Sequence, residues 1–157
     1  MGVDCTIKWP NDIYVRRKKI CGILIENSFR GEEVAASVIG VGLNINQRTF
    51  PQLANATSLV LCSGREEKLE DCLDAVTALF EEKLPALFQA GPRSRLFDAY
   101  SARLFQKGVK ASYRDMLSGR EFTGVIEGVE PDGRLRLRDE DAKRLQFYRF
   151  KEVSYIL

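Results

Sequence analysis

The sequence predicts an α+β fold: a mixed, mostly antiparallel sheet with helices, followed by a small β-barrel of SH3 type. Three observations predict it. Residues 3–46 are strand-like and interrupted by turn chemistry, and the middle of the chain carries apolar residues at helical spacing. Residues 109–157 alternate in short runs separated by Gly- and Pro-containing turns. A boundary near Gly108 divides the chain into segments 1–107 and 108–157.

Val3 to Ile7 is a short alternating run that stops at Pro10, because proline has no N–H to give to a central ladder. Trp9-Pro10-Asn11-Asp12 is a turn: Pro10 presets one torsion, and Asn11 and Asp12 bond their own backbone. Ile13-Tyr14-Val15 is β-branched and aromatic, Arg16-Arg17-Lys18 is a polar break, and Ile20 to Ile25 resumes as strand. Phe29-Arg30-Gly31-Glu32 reads as a second turn. Val34 to Ile45 is nearly all apolar or small, the pattern of a buried strand.

From Glu66 onward, Leu69, Leu73, Val76, Leu79, Phe80 and Leu84 recur at steps of three and four, which predicts a helix. Glu66, Glu67, Glu70 and Asp71 put negative charge where the helix dipole favours it. Pro85 forces a kink or a new start, and Gly91-Pro92 a break. Ser94 then caps a second helix carrying Leu96, Phe97, Tyr100 and Leu104, which ends at Gly108. Beyond it, Val109 to Tyr113, Phe122 to Val129 and Phe147 to Leu157 read as strands, with Glu130-Pro131-Asp132-Gly133 as a hairpin turn. Leu135 and Leu137 alternate with Arg134, Arg136 and Arg138, so the arginines are expected on the wet face of a strand.

Composition excludes several classes of function. The chain has 157 residues, and 24 Lys+Arg against 22 Asp+Glu leave a formal charge of +2. That balance lacks the concentrated basic surface of a nucleic-acid binder. With no histidine, Ser-His-Asp, Cys-His and His-zinc chemistries are excluded. Hydrophobic content of 45% supplies a core without disulfide staples. No apolar run approaches the ~20 residues of a membrane span. The start, MGVDCTIKWPND, lacks the basic and apolar regions of a signal peptide, so the expected location is the cytoplasm. Cys5, Cys21, Cys62 and Cys72 form no C-x-x-C pair and are expected to be reduced and mostly buried.

Three motifs carry the chemistry: Lys8-Trp9-Pro10-Asn11-Asp12, then Lys18-Lys19-Ile20-Cys21-Gly22-Ile23-Leu24-Ile25-Glu26, then Gly40-Val41-Gly42-Leu43-Asn44. Each alone is weak, since Gly-x-Gly is common and a basic hairpin tip is usually a solvated face. Their combination and order strongly resemble the biotin protein ligases. Ala56-Thr57-Ser58-Leu59, following Phe50-Pro51, is similar to that family too, as are the downstream helices and closing barrel.

The resemblance implies an enzyme that makes biotinyl-adenylate from biotin and ATP and transfers biotin to a lysine of a carboxylase carrier domain. Magnesium is expected with the ATP, and no protein ligand is assigned to it. By this resemblance Lys19 is the cation that brings the biotin carboxylate and the α-phosphate together, and Lys18 is the second choice. Gly22, Ile23 and Leu24 hold biotin, with Gly22 allowing close approach of the ligand to the backbone. Asn11, Gly40 and Asn44 lie at the nucleotide; an amide offers two donors and an acceptor. Asp12 is the carboxylate that orients or accepts the proton of the incoming lysine, and it is equally an Asx-turn residue.

One departure from the family stands out. Its Gly/Arg-rich loop precedes Lys-Trp-Pro-Asn-Asp, whereas Gly64-Arg65 and Gly119-Arg120 both lie downstream of that motif here. The DNA-binding helix-turn-helix of the repressor-type members is not in this chain either. The sequence is therefore expected to correspond to the second half of the catalytic domain plus the C-terminal barrel, to be impaired on its own, and to self-associate through unpaired strands. Two alternatives accompany this reading: a lipoate ligase-like enzyme, and a non-catalytic interaction module of the same fold.

Overall fold

The computed structural model describes residues 3–157, the side chains of Ala90, Pro92 and Arg93 excepted. They divide into two compact units, one made of the residues up to Thr6 with Asn11–Leu96, the other of Ile7–Pro10 with Phe97–Leu157. Among the described residues no helix is long and apolar enough to cross a membrane.

One sheet holds strands β1 (Cys5–Lys8), β2 (Asp12–Val15), β3 (Lys18–Arg30) and β4 (Glu33–Leu43) in that order, and the first unit contains β2 to β4. β2 pairs antiparallel with β3, and β3 with β4. The polar break at 16–17 is a tight hairpin turn in which Arg16 takes a left-handed φ of 56°. The second turn uses Gly31 at φ 64°, a conformation that costs glycine little. Helix α1 (Leu59–Ser63), which the periodicity does not show, is set by its ends. Ser58 accepts the Leu61 N–H at its start, and Gly64 turns left-handed at its end.

Helix α2 (Leu69–Lys83) follows the predicted spacing, and Pro85 converts the chain to a 3₁₀ turn over Leu84–Phe88. Helix α3 (Ala90–Ala102) runs through Gly91-Pro92 rather than starting at Ser94. Proline in a first helical turn costs little, because its missing N–H has no partner there in any case.

Two expectations about this unit are corrected. The run 34–45 is not a buried strand: Val34, Val38 and Val41 of β4 are 54%, 66% and 48% exposed. Both faces of β4 carry apolar groups, and among the described residues β3 is its sole neighbour in the sheet. The thiols are also less buried than expected, since Cys21 is buried but Cys62 is exposed and Cys5 and Cys72 are half-buried; none of the four is in a disulfide.

The second unit holds β5 (Lys110–Asp115), β6 (Glu121–Val129), β7 (Leu135–Asp139), β8 (Arg144–Tyr148) and β9 (Val153–Ile156). They form one antiparallel sheet in the order β8-β7-β6-β5-β9. The expected SH3-type barrel is corrected to this extent: the ladder is open, with the short strands β8 and β9 as its two edges. The alternation read from the sequence holds along β6 and β7, whose inward residues Ile126, Leu135 and Leu137 are fully buried. They pack with Trp9, Leu104, Tyr113, Phe122, Tyr148 and Val153. The Trp9 indole donates to the Gly133 carbonyl at 2.9 Å, at the turn after β6.

Arg136 and Arg138 point away from this core and meet Glu127 and Glu130, so the basic stripe is neutralised by its neighbours. Asp139, fully buried, accepts from the amides of Asp141 and Ala142 and from Gln146, and pairs with Arg120.

Candidate functional site

The site lies on the sheet of the first unit and begins with a break in strand register. Asp12 stands opposite Gly22 and Ile13 opposite Cys21, but Tyr14 stands opposite Lys19. Ile20 is therefore an extra residue on β3. Side chains alternate along a strand, so positions 19 and 22, three apart, would ordinarily face opposite sides of the sheet. The bulge reverses the alternation and turns Lys19 onto the face that Asp12 and Gly22 share. There the Lys19 ammonium meets the Asp12 carboxylate, Nζ to Oδ1 2.6 Å. Lys19 is 43% exposed and Asp12 21%, so the pair is wet and contributes little to stability. An ammonium held this lightly can be drawn to another anion.

Around this pair the sheet is stripped of side chains. Gly22 lies opposite Gly42, and Gly40 is the next residue of β4 on the same face. A Cβ on Gly22 would sit 3.0 Å from the Lys19 Nζ and 3.1 Å from its Cε, closer than side chains normally pack. Gly42 faces the Gly22 carbonyl, and Gly40 faces Leu24. The result is a concavity of about 460 Å³ floored by glycine and lined also by Asn11, Asp12, Lys19, Ile23, Leu24 and Val41. Asn11 is anchored by two reciprocal bonds: its side chain donates to the Ile23 carbonyl at 2.6 Å, and its own carbonyl accepts the Ile23 N–H at 2.9 Å. A second concavity of about 280 Å³ lies between Tyr14 and the 52–56 segment, and Lys19 lines this one too.

The local electrostatics leave one cation and one carboxylate as the reactive polar groups of the concavity. Burial pushes the neighbouring Cys21 thiol up, Lys19 pulls it back and Asp12 raises it again, so the net shift is upward and the thiol stays protonated and inert. Burial likewise raises the Tyr14 phenol, with Asp12 adding to the effect. Among the described residues no cluster of three Cys, Asp or Glu side chains is placed to hold a metal ion.

Of the residues singled out in the sequence, Asn11, Asp12, Lys19, Gly22, Ile23, Leu24 and Gly40 line the larger concavity. Asn44 does not: its side chain donates to the Thr57 carbonyl at 3.0 Å, and its backbone bonds Ile20 and Leu59. Lys18 is exposed at the start of β3. Sequence reasoning missed Val41, whose neighbours in the Gly-x-Gly motif were its one signal. It also missed the 52–56 segment, which carries no motif of its own.

The family model described as the Biotin/lipoate A/B protein ligase family matches residues 1–44. The chain is 30% identical over 146 residues to the bifunctional ligase/repressor BirA of Bacillus spizizenii, covering 89% of this chain and 43% of that protein. It is 48% identical over 129 residues to the chloroplastic biotin–protein ligase 1 of Arabidopsis thaliana, covering 82% and 31%. The chain thus spans less than half the length of these relatives.

Among solved structures, the apo biotin protein ligase of Aquifex aeolicus superposes with a TM-score of 0.74 at 22% identity, over 97% of this chain and 65% of that one. The same ligase in complex with biotin and ATP gives 0.73 at 22% identity, over 97% and 62%. At that identity the likeness concerns the fold.

Proposed function

We infer, from the premise that this chain belongs to the biotin protein ligase family, that its glycine-floored concavity binds biotin and the α-phosphate end of ATP and takes part in biotin transfer to a carrier-domain lysine. One observation carries this reading: the Lys19 ammonium lies 2.6 Å from the Asp12 carboxylate at the edge of a hollow cleared by Gly22, Gly40 and Gly42. In the first step a biotin carboxylate oxygen bonds the α-phosphorus, and the bond to the β-phosphate breaks, pyrophosphate leaving with the electron pair. Two anions must approach each other, and their repulsion is the barrier that a fixed cation lowers. Lys19 supplies that cation. Leu24 offers apolar contact to the ring system and chain of biotin, and the glycines let a flat ligand approach the backbone.

In the second step the acceptor amine attacks the acyl carbon, and AMP departs with the electrons of the acyl–phosphate bond. The amine must shed a proton, and Asp12 is the carboxylate within reach of the concavity. While Lys19 lies on Asp12 that carboxylate is occupied; once an anion draws Lys19 away, it is free to accept. Asn11 and Gly40 lie at the nucleotide end in this reading.

The donors present do not fit a protein-held magnesium ion, because Asp12 is the one carboxylate lining the concavity and no group of three ligating side chains gathers among the described residues. Magnesium in this chemistry accompanies the ATP phosphates, and no step is routed through it. Biotin titrated calorimetrically into the purified chain tests the reading. Binding that lipoate does not compete away, and that Lys19→Ala weakens at least tenfold, is the expected result. Heat of binding from lipoate instead, or biotin affinity indifferent to Lys19→Ala, overturns it. With ATP and an acceptor domain added, the chain by itself is expected to ligate slowly or not at all.

A further inference from the structure

The turn between β2 and β3 carries its charge differently from the second unit. There Arg114, Arg134, Arg136 and Arg138 each meet a carboxylate. At the turn, Arg16, Arg17 and Lys18 follow one another, all three are exposed, and among the described residues none has a carboxylate partner. Adjacent like charges repel, so the fold gains nothing from holding them together.

Their place gives them a use. The turn is the far end of the hairpin whose base forms the site. Asp12 opens β2, and Arg16 follows it by four residues, roughly 13 Å of extended chain. Lys18 directly precedes Lys19, which lines both concavities. A lysine presented by a folded domain reaches Asp12 and Lys19 only if the surface of that domain comes down over the mouth of the larger concavity. A footprint of ~800 Å² on one partner has a radius of about 16 Å, enough to take in the turn.

We propose that Arg16, Arg17 and Lys18 form a docking surface for an acidic face of the acceptor protein, set beside the concavity that its lysine enters. The assignment rests on the transfer reaction proposed above. Exposed cations of this kind act on the encounter: they speed association with an acidic surface, and the effect fades as salt screens it. A nucleic acid fits less well. Three cations neutralise few phosphates, and residues 16–18 offer no aromatic ring on which a base could stack.

The test compares two variants with the same change in net charge. Arg17→Glu reverses a cation of this turn, and Arg30→Glu reverses an exposed one at the other end of β3, roughly 40 Å of strand away. Affinity for a fluorescently labelled biotin carboxyl-carrier domain is read by anisotropy, which requires no ligation. At low salt Arg17→Glu is expected to weaken binding about fivefold, and the difference from wild type should shrink as salt rises. Arg30→Glu is expected to stay within about twofold of wild type. Equal losses in the two variants, no loss in either, or no binding by the wild type overturns the proposal. So does Arg17-dependent binding of a single-stranded oligonucleotide in place of the carrier domain.

Where Arg17→Glu does not fold, shown by circular dichroism, the wild type decides. Carbodiimide coupling joins lysine amines to carboxylates in contact with them. Carrier-domain carboxylates are expected on Lys18 ahead of exposed Lys68 and Lys143, and even coupling across the three overturns the docking surface. Biotin calorimetry judges the ligase reading separately. No biotin binding, with carrier binding still dependent on Arg17, sinks that reading and leaves the docking surface standing. Biotin binding with carrier affinity indifferent to Arg17→Glu does the reverse.

Discussion

The two units bury their apolar residues very differently. In the second, β6 and β7 alternate cleanly: Leu135 and Leu137 are fully buried, and Arg136 and Arg138 on the opposite face pair with Glu127 and Glu130. In the first, β3 and β4 are apolar on both faces, and Leu24, Phe29 and Val38 are each more than half exposed. Helix α2 repeats the pattern, with Leu69, Leu73 and Leu79 on the surface. A strand whose polar and apolar residues alternate states which face is wet, and one further layer completes it. A strand apolar on both faces requires a layer on each, and those layers come from elsewhere in sequence. The second unit is therefore the better packed of the two, and the first carries the candidate site together with the exposed apolar surface.

The largest expected effect breaks the comparison at its well-packed end. Leu137→Ala opens a cavity in the second unit and should lower unfolding free energy by ~2–5 kcal/mol. Leu73→Ala on exposed α2 should change it by about 0.5 kcal/mol or less. Urea unfolding followed by far-ultraviolet circular dichroism, which reads the helices of the first unit and the strands of both, measures the two variants. Equal losses at the two positions would erase the distinction.

Acid should act next, through the second unit. Burial alone would lift the Asp139 carboxyl, but the Ala142 and Asp141 amides and Arg120 outweigh it and hold the group below its ordinary 3.8. Asp115 is held below 3.8 as well, by the Ser118 amide first, then its hydroxyl and the Leu117 amide, against a smaller opposing push from burial. A carboxyl depressed in the folded state contributes stability that is complete above its unfolded value and disappears as pH falls through the folded one. Unfolding free energy should therefore hold steady down to about pH 4 and decline below it. Asp139→Asn should flatten that decline, as urea midpoints taken across the pH range will show.

The smallest effect on stability sharpens the other end. Among the described residues β4 is an edge of its sheet, carries no charge from Val34 to Leu43, and contains no proline. Such an edge pairs readily with another chain. Val34→Lys, remote from the concavity, should leave the urea midpoint nearly unchanged and reduce self-association in sedimentation velocity. A wild-type chain that stays monomeric at high concentration would count against the edge as an interaction surface.

Much of this could be read from residue order. Lys19, Asp12 and Gly22 are singled out by the resemblance of their motifs to the biotin protein ligases, and the structure gathers them around one hollow. The turn at 130–133 and the alternation of 135–138 are local chemistry, and they appear where local chemistry puts them. Asn44 illustrates the opposite case. An asparagine after Gly-x-Gly looks like a ligand contact, and only the structure shows that its Nδ2 donates to a carbonyl thirteen residues away. Nothing in the spelling of residues 18–25 marks Ile20 as a bulge, since one extra residue shows only against the register of a partner strand.

By itself the sequence determined the kinds of element, most of their ends and the chemical groups of the site, because propensity, turn residues and alternation act over a few residues. Tertiary structure alone decided which face Lys19 occupies, what Asn44 holds and which apolar strand stays uncovered. Those outcomes depend on pairing register and on layers supplied from distant parts of a chain, and short-range pattern carries no record of either.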